Sequence, residues 1–222
     1  MTEEKDSDFS FLNDRVVKVA IITGIILRIY ESFTEEVEPD EMHQWYLAIS
    51  PDINSIFSDF VSNSGTPHPS ASFILMWFWG ALFGHSVIIM RIPSIIFGIL
   101  TMIFCGLLAK DWFGDNAGRH AVIMTAVISD FIRISAQARM YSMMVFLVVL
   151  LIWLVNRRIA NHDVKGRLNF AMIVIVSILL SQTHYFGTMA AFGAIFIGVL
   201  YRRSVLGHIV SDFYWIMIFL IS

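Results

Sequence analysis

Charge is what this sequence has least of. Only 15% of its residues are Asp, Glu, Lys or Arg, compared with about 25% in ordinary globular domains. None of these four residue types occurs between positions 60 and 90 or between positions 168 and 201. Uncharged apolar runs longer than about 18 residues are typical of membrane spans. The scarcity of charge therefore predicts an all-α fold, a polytopic transmembrane helical bundle.

Other absences narrow the class further. Cys105 is the single cysteine and lies in an apolar run, so no disulfide framework is expected. The first 14 residues are acidic and lack a basic region, and no small-residue cleavage site follows the first apolar run, so we interpret that run as an uncleaved span. The predicted organisation is a disordered acidic tail over residues 1–14 and one transmembrane module over residues 15–222. Nothing predicts a nucleic-acid partner.

The apolar runs are predicted to be helices. They cover residues 16–33, 71–90, 92–109, 119–136, 140–156, 168–183 and 186–201. A last apolar stretch begins at Phe213 and stops at Ser222. At about 1.5 Å per residue it is too short to cross roughly 30 Å of hydrocarbon. The sequence therefore predicts an incomplete last helix and a truncated chain.

Basic residues set the predicted orientation. Those that flank the first run and the late loops are at positions 15, 18, 157, 158, 165, 167, 202 and 203. Loops rich in Lys and Arg face the cytoplasm, which would place the loop 34–70 and the junction at 139 on the outer face. Six complete crossings counted forward from a cytoplasmic N-terminus do not satisfy all these placements together. Either the run 71–90 or the charged run 119–136 is not a simple crossing, and both alternatives stay open.

The longest polar connection, residues 34–70, is predicted to contain two short interfacial juxtamembrane helices on the membrane surface. Asp40 and Glu41 stand at the start of the first of these helices. A partly desolvated carboxylate is a good general base, which suits deprotonation of an acceptor hydroxyl. The alternative is that both acids are solvated and only stabilise a helix start that follows Pro39.

Other polar residues near the apolar boundaries are candidate ligand groups. His43 and His68 have a type that suits a divalent metal, but their spacing matches no closed site, so no metal and no cofactor is predicted. Arg139 can clamp a phosphate or serve as an interfacial anchor. Tyr141 and His184 are further candidates for substrate binding; the alternatives are an interfacial aromatic residue and the turn of a helical hairpin.

The order of several loose motifs points to a family. The Asp-Glu loop is followed by His68-Pro69-Ser70-Ala71-Ser72, then by Met90-Arg91-Ile92-Pro93-Ser94, Trp112-Phe113-Gly114 and Gln137-Ala138-Arg139-Met140-Tyr141-Ser142. This order resembles the N-terminal half of the GT-C glycosyltransferases. The resemblance is to the branch that contains the protein O-mannosyltransferases, the aminoarabinose transferases of lipid A and the RgtA/B/C/D-like enzymes. It covers about residues 15–200.

The resemblance implies an inverting membrane glycosyltransferase that moves a sugar from a polyprenyl-phosphate carrier to the hydroxyl of a lipid, glycan or protein acceptor. It implies that Asp40 is the catalytic base, with Glu41 at the adjacent family position. Arg139, and Arg91 second, would hold the carrier phosphate. His68 matches the family's His-Pro step, although Ser70 replaces the usual second proline. The site would face the outer or lumenal side of a plasma, inner or endoplasmic-reticulum membrane.

Two other functions remain as alternatives. A transporter or flippase-like protein would carry acids and arginines along a path at mid-depth and would show paired, broken helices. A non-catalytic membrane assembly factor would tolerate the loss of both Asp40 and Glu41. No internal repeat is visible and the densest polar cluster lies in a loop, which favours the glycosyltransferase.

Overall fold

The structure, a computed structural model, describes residues 8–50, 52–54, 71–160 and 167–206. Over these ranges it contains a 3-10 helix, nine α-helices and no strand, which confirms the predicted all-α class. The α-helices are α1 (Arg15–Thr34), α2 (Pro39–Ala48), α3 (Ala71–Phe83), α4 (Val87–Phe113), α5 (Asp115–Val127), α6 (Ser129–Ala136), α7 (Met140–Ala160), α8 (Arg167–Ser181) and α9 (Tyr185–Leu206).

The helices run between two ends of a bundle. At the lower end, where α1 and α5 begin and α4 and α7 finish, Arg119 pairs with Asp14 and the Trp112 indole donates to Asn156. At the upper end, α1 finishes and α4 and α7 begin, and the hydroxyl of Ser142 donates to the Ser94 carbonyl.

Helices α7, α8 and α9 pack together through an aliphatic core. That core contains Leu147, Leu151, Leu154, Ile173, Val176, Leu180 and Ala191.

Helices α4 and α7 are long and apolar enough to cross a membrane, over Val87–Phe113 and Met140–Ile159. Shorter apolar helices cover Ala71–Phe83, Leu168–Ser181 and Tyr185–Gly198. Helix α1, the predicted first span, has 20 residues but includes Lys18, Arg28 and Glu31, so it is less uniformly apolar than α4 and α7. By length and composition these apolar helices suit a membrane.

The break predicted at Arg91-Ile92-Pro93 is wrong, because α4 continues from Val87 through Pro93. A proline within a helix leaves the carbonyl four residues earlier without its N–H donor. That carbonyl belongs to Ile89, and it accepts a hydrogen bond from Trp79 Nε1 at 2.9 Å. The chain breaks instead at Gly84, whose φ of 101° suits glycine. Thus a tryptophan of α3 satisfies the orphan acceptor, and the helix is not interrupted.

The predicted run 119–136 is two helices rather than one. The backbone at Ile128 is extended, with ψ of 123°, and this separates α5 from α6. The side chain of Arg28, 1% exposed, reaches from α1 to the end of α5. Its Nη2 donates to the Thr125 carbonyl at 2.9 Å and its Nη1 to the Ala126 carbonyl at 3.4 Å. A cation at a helix C-terminus satisfies free carbonyls and favours the helix dipole, so Arg28 stabilises the break.

Helix α3 lies at the upper end of the bundle. At its start the Ala71 amide donates to the Gln182 carbonyl at 2.9 Å. Just after its end the His85 carbonyl accepts from Trp45 Nε1 at 2.7 Å. Helix α3 has 13 residues, about 20 Å at 1.5 Å each, and it packs on α2. The run 71–90 is therefore a short upper-end helix followed by the start of α4.

The beginning of the chain is more ordered than the predicted acidic tail over the part that the structure describes. Residues Asp8–Asn13 form the 3-10 helix, and Phe11 is buried against Val17 and Leu107. Asp14 then caps α1, because its carboxylate accepts from the Val16 amide at 2.8 Å. Phe11 supplies the apolar anchor that composition alone does not reveal.

Gly98 brings α4 against α6, and we expect Gly98→Ala to lower the free energy of unfolding by about 1–3 kcal/mol. A Cβ at this position would lie 2.2 Å from Ser135 Oγ and 2.8 Å from Arg28 Nε. Gly193 on α9 is the matched control, because a Cβ there meets no atom within 4 Å. Gly193→Ala should be neutral or stabilising by up to about 1 kcal/mol. Thermal unfolding in detergent measures both, and equal effects would contradict the close approach.

Candidate active site

Arg91 and Glu41 form a buried ion pair at the upper end. Arg91 Nε lies 2.8 Å from Glu41 Oε1, and Arg91 Nη2 lies 2.7 Å from Glu41 Oε2, so the contact is bidentate. The two side chains are 2% and 3% exposed. Arg91 is in the second turn of α4 and Glu41 is in the first turn of α2. The pair therefore fixes the start of the surface helix to the bundle.

The guanidinium of Arg91 has an acceptor for every N–H group. Nη1 donates to the carbonyl oxygens of Ser32 at 2.7 Å and Glu35 at 3.0 Å. Nη2 also donates to the Glu36 carbonyl at 3.3 Å. With the two bonds to Glu41, these account for the five N–H groups of an arginine. In this geometry Arg91 holds protein acceptors through all five N–H groups, and its predicted contact with substrate stays a prediction.

Glu41 also fixes the segment that precedes α7. Its Oε1 accepts the backbone N–H of Ala138 at 2.8 Å. Gln137 Nε2 donates to Glu35 Oε1 at 3.2 Å beside it. Both carboxylate oxygens of Glu41 are thus occupied in a buried setting. Glu41, predicted as a second catalytic acid, is placed where it holds the chain and has no open face for an acceptor hydroxyl.

Asp40 points the other way from Glu41, because consecutive residues of an α-helix are separated by about 100°. Its side chain is 72% exposed. Asp40 Oδ2 lies 2.9 Å from Nη1 of Arg139, whose side chain is only 8% exposed. The expected closeness of Asp40 and Arg139 is therefore observed. Glu41 is thus buried with both carboxylate oxygens hydrogen-bonded, whereas Asp40 is exposed and paired with Arg139.

Arg139 contacts a group of aromatic side chains. Its Nη2 donates to the Tyr141 hydroxyl at 3.2 Å, and its guanidinium carbon lies 5.1 Å from the centre of the Tyr141 ring. The rings of Tyr141 and His184 are 5.9 Å apart between centroids, and His184 stacks on Phe186 at 5.2 Å. The structure thus brings together Arg139, Tyr141 and His184, three of the residues predicted to bind substrate.

His184 is held in its neutral form. Burial lowers the pKa of His184 below its ordinary value of 6.5, and the positive charge of Arg139 lowers it further. Its Nδ1 accepts the backbone N–H of Phe186 at 3.1 Å, so the proton of the neutral ring is on Nε2. The ring is therefore a neutral partner beside Arg139 at physiological pH.

His68 lies outside the described residues. His43 meets Phe73 edge-on, with ring centroids 6.1 Å apart. Among the residues with described positions, no group of three or more His, Cys, Asp or Glu side chains could hold a metal ion. Sequence reasoning missed the buried contacts of Glu41, and the only available signal was the adjacency of two acids at a helix start, which requires one to point inward.

Comparison with known protein families identifies a match. A sequence model for a family described as dolichyl-phosphate-mannose-protein mannosyltransferase matches residues 67–222, more than half of the chain. The matched segment includes His68, Arg91, Arg139, Tyr141 and His184 and begins after Asp40 and Glu41. No curated protein and no solved structure matches the chain.

Replacement of Glu41 by Gln should strongly destabilise the protein. It leaves the guanidinium of Arg91 buried without a counter-charge, and breaking a buried pair costs about 3–5 kcal/mol. Asp40→Asn is the matched control, because Asp40 is 72% exposed and a carboxylate that water screens contributes about 0–1 kcal/mol to its ion pair. Thermal unfolding of the two purified variants measures the difference. Similar losses of stability in both would contradict the division of roles between the adjacent acids.

Replacement of Arg139 by Gln should raise the pKa of His184, because a positive charge that opposes protonation is removed. The pKa of His184 is lower in the folded protein than in the unfolded chain. The free energy of unfolding is therefore highest above pH 6.5 and decreases as the pH falls from 6.5 toward the folded-state pKa of His184. NMR titration of 13C-labelled histidine in micelles measures the shift. Arg119→Gln, at the lower end, is the control and should leave the pKa of His184 unchanged. An unchanged His184 in Arg139→Gln would contradict the coupling.

Proposed function

The chain belongs to the dolichyl-phosphate-mannose-protein mannosyltransferase family and is a membrane glycosyltransferase, and on that premise we propose that it transfers a sugar from a polyprenyl-phosphate carrier with Asp40 as the base. The family description names a dolichyl-phosphate mannose donor and a protein acceptor. We take mannose as the first sugar to test and a protein, glycan or lipid hydroxyl as the acceptor. Family membership favours glycosyl transfer over a transporter or an assembly factor.

The observation that carries the assignment of the base is the contrast between the two acids. Asp40 is 72% exposed and lies beside Arg139, whereas Glu41 is enclosed by Arg91 and the Ala138 amide. A base must reach the proton that it removes, and only Asp40 has an open face. Since the family match begins at residue 67, the role of Asp40 rests on this geometry.

The proposed reaction is an inverting displacement. The acceptor oxygen attacks the anomeric carbon as its hydroxyl proton passes to Asp40. The bond between that carbon and the phosphate oxygen breaks on the opposite face, and its electron pair leaves with the polyprenyl phosphate. Arg139 is charged, 8% exposed and 2.9 Å from Asp40, so a donor phosphate can replace Asp40 as its partner. This exchange also frees the carboxylate for the proton.

The proposed topology follows from the two ends of the bundle. Arg15 and Lys18 begin α1 at the lower end, and Arg157 and Arg158 finish α7 there. The positive-inside tendency puts this end in the cytoplasm and the site on the outer or lumenal face. If α3 remains at the upper end and α5 with α6 makes one broken crossing, all basic loops fall on the same side. We therefore propose a multi-pass arrangement in which α1, α4, α5–α6, α7, α8 and α9 cross.

Asp40→Asn should reduce transfer of radiolabelled mannose from polyprenyl phosphate by about 10²–10⁴-fold, because the amide cannot accept the proton. The assay uses membranes with matched amounts of wild type and variant. Glu36→Gln is the control, since Glu36 is an exposed acid in the same loop whose carbonyl, not side chain, binds Arg91. Transfer by Asp40→Asn at the wild-type rate would show that another group is the base.

A further inference from the structure

Two buried side chains beside the candidate active site have polar atoms without hydrogen-bond partners. They are Gln44 on α2 and Ser72 on α3, each 2% exposed. Within the described part of the chain, neither Gln44 Nε2 nor Ser72 Oγ has a hydrogen-bond partner. Leaving a buried donor unsatisfied costs about 1–3 kcal/mol. A fold retains such groups where a ligand completes them.

The packing of α2 on α3 puts these two side chains at the same level. His43 meets Phe73, Ala48 clusters with Met76, and Trp77 Nε1 donates to the Ser50 carbonyl at 2.9 Å. Higher residue numbers on α2 thus face higher numbers on α3, so the helices run in the same direction where they touch. Gln44 is one turn before Ala48 and Ser72 is one turn before Met76, which places both on the same faces as that contact.

The same face of α2 meets the segment that carries Arg139. Glu41, three residues before Gln44, accepts the Ala138 amide, and Ala48, four residues after Gln44, belongs to the same buried cluster as Ala138. Gln44 therefore lies on α2 between two residues associated with Ala138, which precedes Arg139. On the α3 side, Ala71 beside Ser72 donates to Gln182, two residues before His184. A seam between α2, α3, Ala138–Tyr141 and Gln182–His184 contains both unsatisfied groups.

We propose that this seam is the sugar pocket of the donor, with Gln44 and Ser72 as specificity-determining residues that bind its hydroxyls. The inference rests on the proposed function. A carboxamide provides two N–H donors and a serine hydroxyl both donates and accepts, a combination that suits a ligand rich in hydroxyls. Arg139, at the edge of this seam, binds the phosphate of the donor. Asp40 lies on the solvent-exposed side of Arg139. Gln44 and Ser72 are each 2% exposed, so binding of the sugar requires α3 to move away from Ala138–Tyr141.

The test measures thermal shifts with two lipids, polyprenyl-phosphate mannose and bare polyprenyl phosphate, on purified full chain. Wild type should be stabilised more by the mannose-bearing lipid. Gln44→Met and Ser72→Ala should each lose most of that difference, which corresponds to roughly 10-fold weaker binding of the sugar per hydrogen bond. Their melting temperatures without lipid should stay equal or rise, because an unsatisfied buried group has been removed. Glu36→Gln, at an exposed acid that is at the same end but outside the seam, is the control.

Each contrary result has a distinct meaning. A wild-type-sized mannose increment in both Gln44→Met and Ser72→Ala would overturn the pocket. A lower melting temperature of both variants without lipid would also overturn it, because it would show that the two groups support the fold. Equal stabilisation of wild type by the two lipids would reject the sugar pocket and leave the proposed function intact. No stabilisation by either lipid would reject the proposed donor and the pocket together.

Discussion

The buried pair of Arg91 and Glu41 is the interaction on which the rest of the site depends. One guanidinium joins the end of α1, the start of α2 and the start of α4 through five hydrogen bonds. The carboxylate extends this junction to Ala138 and so sets the position of the residue after it. Burying a charge is costly unless it is paired and hydrogen-bonded, and here all donors are satisfied. The pair thus defines one arrangement of four segments.

A second buried arginine has a different setting. Arg28 donates only to backbone carbonyls, at Gly24, Thr125 and Ala126. Two of these carbonyls finish α5, so the cation is placed at the negative end of a helix dipole. The break at Ile128 that it stabilises lets the chain turn into α6 and return to the upper end at Ala136. Both arginines therefore fix the direction of the backbone by binding its carbonyl oxygens. Together they bring residues 137–141 beside the loop that carries Asp40.

Much of the architecture could be predicted from composition, and some of the site could not. Apolar runs predicted helices correctly, but not whether Pro93 ends one, because the compensating donor, Trp79, comes from another helix. Basic residues predicted that one run is not a simple crossing, and the contact of Ala71 with Gln182 is the basis on which we propose that this run is 71–90. The resemblance implied that Asp40 and Arg139 serve one site, and the structure places their side chains 2.9 Å apart. The buried contacts of Arg91 and Glu41 could not be predicted, because burial and the number of free donors depend on tertiary contacts.

The long sequence separation of the contacts has a consequence for how the protein is made. Glu41 and Arg91 are separated by 50 residues, whereas Glu41 and the Ala138 amide are separated by 97. During synthesis the ion pair can therefore close as soon as the start of α4 has emerged, long before α6 and α7 exist. The loop with Asp40 would then be anchored early, while its cationic neighbour arrives last. A nascent chain that stalls between these two points has an anchored Asp40 but no Arg139, so the ion pair between these two residues can form only later.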